Sequence, residues 1–181
     1  MKILVTWVGN RDLEASLGVG PEDLGPIGET LKVNTYQKII LLCDYGNNNQ
    51  KRKTQCKGYV DWLNSRCSTD IEPEYLMLSS PVDFHDIYKA AKSVLDKLYS
   101  DKEPAELSLH LSPGTGQMIG VWIILGRTYK FADFVQWSKE AGVEKTDVPF
   151  DIAYDYTSKM RETSDNKRKE ASMGIPPEGA S

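Results

Sequence analysis

Short apolar runs alternate along the chain with longer amphipathic stretches. Residues 3–8 (Ile-Leu-Val-Thr-Trp-Val) form a β-type run closed by Gly9-Asn10. Runs of the same kind recur at 37–44, 74–78, 107–111 and 131–137. Turn residues follow three of them, at Gly46–Asn49, Ser79–Pro81 and Ser112–Gly114. Several runs are almost continuously apolar, as parallel strands buried on both faces are. Helical patterns lie between them, weakly at 25–33 and more clearly at 51–66, 82–99 and 115–129. The third is the most regular: Phe84, Ile87, Tyr88, Ala91, Val94, Leu95 and Leu98 fall on one stripe. Its start signal is Ser80 as N-cap, Pro81 at the first helical position and Asp83 completing an S-x-x-D box. Residues 51–66 place Tyr59, Trp62 and Leu63 together, and 115–129 is apolar nearly all round, which predicts a buried helix. The alternation predicts an α/β fold: a three-layer Rossmann-like domain with a mostly parallel sheet of about five or six strands. In such sheets ligands sit beyond the carboxyl ends of the strands, where the strand order reverses.

The pattern stops near residue 158. Residues 161–170 are densely charged, and 173–181 carry Gly174, Pro176, Pro177 and Gly179 without periodicity. This predicts a domain over 1–157 and a charged helix end with a Pro/Gly linker over 158–181. A chain of 181 residues with Trp 4, Tyr 9 and Phe 4 has ample core-forming surface, which excludes disorder throughout and the need for a metal or disulfide staple. Lys+Arg 22 against Asp+Glu 26 gives −4, a poor balance for a duplex-DNA binder that works through a basic face. Cys43, Cys56 and Cys67 show no CxxC spacing and read as reduced structural thiols of a cytoplasmic protein. With His85 and His110 the only histidines, no zinc set is visible, and no metal or cofactor is expected. The N-terminal apolar run is too short for a signal segment. The longest apolar stretch, 118–125, is far below the ~20 residues that span a bilayer, so no membrane contact is expected.

The strand ends hold the candidate chemistry. Gly9, Asn10 and Arg11 follow the first run; small and polar residues there admit a ligand, and Arg11 can meet an anion. A plain Gly-Asn turn is the alternative, although the connection from 9 to 24 is long for a loop without a role. Ser112-Pro113-Gly114-Thr115-Gly116-Gln117-Met118 leads from a strand directly into a helix. Its glycines, hydroxyls and free helix-start amides form an anion cradle, unless Ser112 or Thr115 merely caps the helix. If φ at Gly114 is negative, a bulky side chain there is expected to block a ligand without unfolding the chain. The segment is neither a Walker A loop, nor GxGxxG, nor GxSxG. Lys51-Arg52-Lys53 oppose the dipole at a helix start; a nearby polyanion would offset this, and a solvated helix end is the plainer reading. His85 reads as a surface residue, and His110 as a satisfied buried histidine that can still reach the base of the site.

Four segments together resemble a known family: Thr6–Asn10, Ser80–Phe84, Leu111–Met118 and Asp147–Asp151. They are similar to CARF (CRISPR-associated Rossmann fold) domains, above all the CARF-like sensors at the N-terminus of sigma-54-dependent AAA+ transcriptional regulators. The resemblance spans roughly residues 1–155, and the Ser-Pro-Gly-Thr segment is its most specific part. It implies a homodimeric sensor that binds a cyclic oligoadenylate or an RNA end across paired strand-end loops. Gly9, Asn10 and Arg11 match the first ligand loop, and Ser112, Gly114, Thr115, Gln117 and Met118 the second. The tail resembles a linker toward an absent AAA+ domain, through which such regulators meet sigma-54 RNA polymerase and DNA. The alternative the family offers is a metal-independent ring nuclease. There Ser112 or Thr115 would orient the attacking 2′-hydroxyl and Arg11 or Lys51 would stabilise the developing charge, although neither loop carries an evident catalytic Lys or Tyr.

Overall fold

The computed structural model describes residues 1–101, 104–129 and 132–148. Six strands form one sheet: β1 (Lys2–Trp7), β2 (Lys38–Asp44), β3 (Asp70–Leu76), β4 (Glu106–His110), β5 (Ala132–Ser138) and β6 (Gly142–Thr146). Five helices are α1 (Asn10–Ser16), α2 (Gly25–Val33), α3 (Gln50–Asn64), α4 (Phe84–Asp101) and α5 (Gly116–Gly126). The strand order is β3-β2-β1-β4-β5-β6, with β6 alone antiparallel to its neighbour. β1 and β4 are adjacent, and the order runs outward from them in both directions. That pair is the topological switch point.

Side-chain alternation along the central strands builds two cores. Ile3, Val5 and Trp7 of β1 and Leu107 and Leu109 of β4 face α4 and α5, whose Ile87, Ala91, Leu95, Val121, Trp122 and Leu125 complete that layer. Leu4 and Val8, with Ile39, Leu41 and Cys43 of β2, face Leu13, Ile27, Tyr59 and Leu63 on the other side. The expected three layers follow from this period of two. Trp7 and Trp122 meet across the first core with ring centroids 6.0 Å apart. Cys43, Cys56 and Cys67 are all free.

Four local expectations are corrected. β3 begins at Asp70 rather than 74, because Ile71-Glu72-Pro73-Glu74 is a half-buried edge strand that needs no apolar run and tolerates proline. The long connection after β1 contains α1, which buries only Asp12 and Leu13 and so shows no apolar stripe. α4 starts at Phe84: the Asp83 carboxylate, not Ser80, accepts the Asp86 amide at 2.9 Å, while the Ser80 hydroxyl accepts from Val82 within the preceding turn. α5 is not enclosed, since Ile124 is 45% exposed and Phe84 on α4 is 55% exposed. The described residues form a compact unit, Met1–Val148. The expected boundary at 157/158, the charged segment and the linker lie outside the described residues, as does the end of the Asp147–Asp151 motif.

Candidate functional site

A cleft of about 570 Å³ opens at the carboxyl end of the sheet, within the range of small-ligand sites. Three loops line it: Val8–Asp12 after β1, Asp44–Asn49 after β2 with Arg52 on α3, and Ser112–Thr115 after β4 with Met118 on α5; Pro26 and Pro81 complete the lining. Seven of the eight residues proposed from the sequence, Gly9, Asn10, Arg11, Ser112, Gly114, Thr115 and Met118, meet in this cleft, and Gln117 does not line it. The β1 and β4 loops approach so closely at Gly9 that a Cβ there would lie 3.3 Å from the Gly114 amide nitrogen.

Most of the side chains in the two sequence-predicted loops have structural partners. The Ser112 hydroxyl donates to the Trp137 carbonyl at 2.9 Å and accepts from the Trp137 amide, which ties the β4 loop to β5. The Thr115 hydroxyl donates to the Pro81 carbonyl at 2.7 Å and accepts from the Met118 amide at 3.3 Å, so it caps α5 and fastens that loop to the turn before α4. Each hydroxyl has given away its one hydrogen. At the start of α5, the amides of Gly116 and Gln117 have no intrahelical acceptor by the geometry of a helix start. Gly114 has φ +99°, and a Cβ on it would sit 2.7 Å from the Met118 sulfur. The expectation that a bulky residue there leaves the fold intact required a negative φ and fails.

Charge in the cleft is distributed unevenly. Arg11 Nη2 donates to both carboxylate oxygens of Asp23, at 2.7 and 2.8 Å, and Nη1 reaches Glu14 at 3.4 Å. Its charge is already matched by two carboxylates. Asp12 is fully buried beneath the β1 loop and accepts the amides of Gly9 at 3.0 Å and Ile27 at 2.9 Å. Burial pushes its carboxyl up to about 7 against the opposing pull of those amides. His110 is not in the cleft. It lies between Thr6 and Thr30, 3.2 Å from each hydroxyl, and burial drives it down to about 3. Because the Thr6 hydroxyl donates to the Trp7 carbonyl, a neutral ring with its proton on Nδ1 donates to Thr6 and accepts from Thr30 at Nε2. His85 is exposed on α4.

The β2 side of the cleft is where the sequence favours a solvated helix end at Lys51–Lys53 over contact with a polyanion, and its turn residues were not assigned to a site. Gly46, Asn47 and Asn48 all have positive φ, which explains a Gly-Asn-Asn turn. It projects Asp44, Tyr45, Asn47, Asn49 and Arg52 along the cleft wall. The signal available was the turn cluster at a strand end followed by three cations. Among the described residues no group of three or more His, Cys, Asp or Glu is placed to hold a metal ion. Nor is any helix among them long and apolar enough to cross a membrane.

No family model matches the chain, and no curated protein matches it either. Among solved structures, Enterococcus italicus Csm6 bound to cyclic hexa-2′-fluoro-hexa-dAMP superposes with a TM-score of 0.67 at 16% sequence identity. The match covers 97% of this chain and 48% of Csm6, so the chain spans about half the length of that protein. At that identity the likeness is one of fold, and it supports the CARF-like architecture that the strand-end motifs imply.

Proposed function

We propose that this chain is a ligand-sensing CARF-like domain that binds a cyclic oligoadenylate in the cleft at the β1/β4 switch point. The observation that carries the reading is the meeting of the Gly9 and Ser112–Thr115 loops at that point, in a fold shared with a protein solved with a cyclic hexanucleotide. Gly9, Asn10, Arg11, Ser112, Gly114, Thr115, Gln117 and Met118 belong to the two ligand loops, and backbone amides carry more of the recognition than the two hydroxyls. The sensor acts as a homodimer, pairing the open face of α4 and α5, where Val82, Phe84, Tyr88 and Ile124 expose apolar surface. Pairing there brings two Ser112–Met118 loops toward one two-fold axis, as a symmetric ring requires. Its place is the N-terminal part of a cytoplasmic sigma-54-dependent regulator, where ligand occupancy controls an AAA+ domain.

The test is isothermal titration of the chain with cyclic tetra-adenylate, cyclic hexa-adenylate and an RNA ending in a 2′,3′-cyclic phosphate. One ring bound per two chains is the expected result. Preference for the RNA end would move the reading to RNA-end sensing, and no heat with any of the three would end it. The ring-nuclease alternative asks for a general base. Asp12 has a suitable value, but both its oxygens are turned to amides and none of it is exposed, which favours sensing over cleavage.

A further inference from the structure

We infer that Arg52 is the cation of the cleft that contacts the ligand's phosphate groups, and that Asn10 positions it. This deepens, and rests on, the cyclic-oligonucleotide reading. Of the consecutive cations at 51–53, only Arg52 lines the cleft. Lys53 is drawn aside, its ammonium 4.8 Å from the centre of the Tyr45 ring. The Arg52 guanidinium is held by neutral oxygens alone: Nη1 donates to Asn10 Oδ1 at 2.7 Å and Nε reaches the Asp44 carbonyl at 3.5 Å. Among the described residues no carboxylate pairs with it within 4.0 Å, whereas Arg11 across the cleft is already paired with Asp23 and Glu14. The nearest acid on its own wall, Asp44, spends Oδ1 on the amides of Gly46 and Leu78. A guanidinium oriented by neutral acceptors keeps its full charge for an incoming anion. Its planar fork suits a phosphodiester, and its placement fits a residue type otherwise unfavourable in the first turn of a helix.

Asn10 gives the sharpest test. Asn10→Asp keeps the size and the hydrogen bond, improves the charge at the start of α1, and converts the neutral acceptor of Arg52 into a counter-ion. We expect Arg52→Gln and Asn10→Asp each to weaken cyclic hexa-adenylate binding by about tenfold or more, without lowering the melting temperature in Asn10→Asp. Arg52→Lys should retain only part of the affinity, and Lys57→Gln, an equal change of charge on an exposed part of α3, should leave it unchanged. A parallel arm uses inorganic tripolyphosphate, which should raise the melting temperature of the unaltered chain and not of Arg52→Gln. Adenylate affinity unchanged in both Arg52→Gln and Asn10→Asp overturns this inference and leaves the functional reading standing. Failure of every oligonucleotide, with an Arg52-dependent tripolyphosphate effect retained, overturns the reading and keeps Arg52 as the anion contact. Silence in both arms overturns both.

Discussion

Two buried titratable side chains on the same side of the sheet pull the stability of the protein in opposite directions. Asp12 titrates near 7 in the folded chain against an ordinary 3.8, so between those values the folded form holds a proton the unfolded chain has lost. Stability therefore falls as pH rises through that window. His110 does the reverse: the unfolded chain takes up a proton below 6.5 and the folded ring resists down to about 3, so stability falls on acidification through that window. Where the windows overlap, slopes of up to about 1.4 kcal/mol per pH unit oppose each other. The expected melting-temperature profile is nearly flat from about pH 4 to 6. His110→Gln should expose a steady decline toward pH 7, and Asp12→Asn a decline on acidification; three superimposable profiles would contradict the assignment. Two further residues test what the β4 loop is for. Thr115→Ala removes the α5 cap and the bond to Pro81 and should cost about 1–2 kcal/mol of stability. Gly114→Ala meets both a positive φ and the Met118 sulfur and should cost about 1–3 kcal/mol. Chemical denaturation reads both, and loss of affinity without loss of stability in either would show that the position serves the ligand alone.

At the scale of elements, α1 and α2 are joined by a connection that Arg11 fastens. The contact of its Nη2 with both carboxylate oxygens of Asp23 holds the 17–24 segment against α1, and both partners are only partly exposed. Arg11→Gln should cost about 0.5–1 kcal/mol and speed amide exchange across 17–24, with little change in the strands. Exchange unaltered in that segment would show that the pair is not what holds it. The legibility of the elements follows the same logic. β1, β2 and β4 are central, buried on both faces, and visible as apolar runs. β3 and β6 lie at the edges and α1 buries two residues, so only the end of β3 shows in the sequence, and β6 and α1 carry no period to find. The β1 and β4 halves of the cleft were legible because glycine and hydroxyl residues cluster at strand ends. The Asp44–Arg52 half was not assigned, because a run of cations and asparagines looks the same on a solvated loop as on a cleft wall. The positive φ values, and the pairing that leaves Arg52 rather than Arg11 without a carboxylate, exist only in three dimensions.

At the scale of the whole molecule, the apolar face of α4 and α5 is the surface on which two copies are expected to meet. The Phe84 ring packs against Gly120, 3.5 Å from where a Cβ on that glycine would lie, which gives the face a shallow, closely joined relief. Phe84→Glu and Ile124→Glu should convert a dimer to a monomer in sedimentation at micromolar concentration. Because each side chain is about half buried against its neighbours, each change should also cost the single chain about 1–2 kcal/mol, too little to unfold it. A sedimentation profile that is monomeric before any substitution, with and without cyclic hexa-adenylate, would rule out the pairing.

The edge formed by β3 bears on what such a monomer would do next. Pro73 leaves no N–H to donate in the middle of the strand. Glu72 is bridged by Lys38 and Lys97, and Glu74 by Lys97 at 2.8 Å, which crowds the margin with charge. Such a margin resists the addition of a foreign strand. A chain separated from its partner by Phe84→Glu is therefore expected to stay dispersed in solution on storage, not to grow strand by strand from this edge; rising turbidity or thioflavin binding in that variant would show the margin to be open.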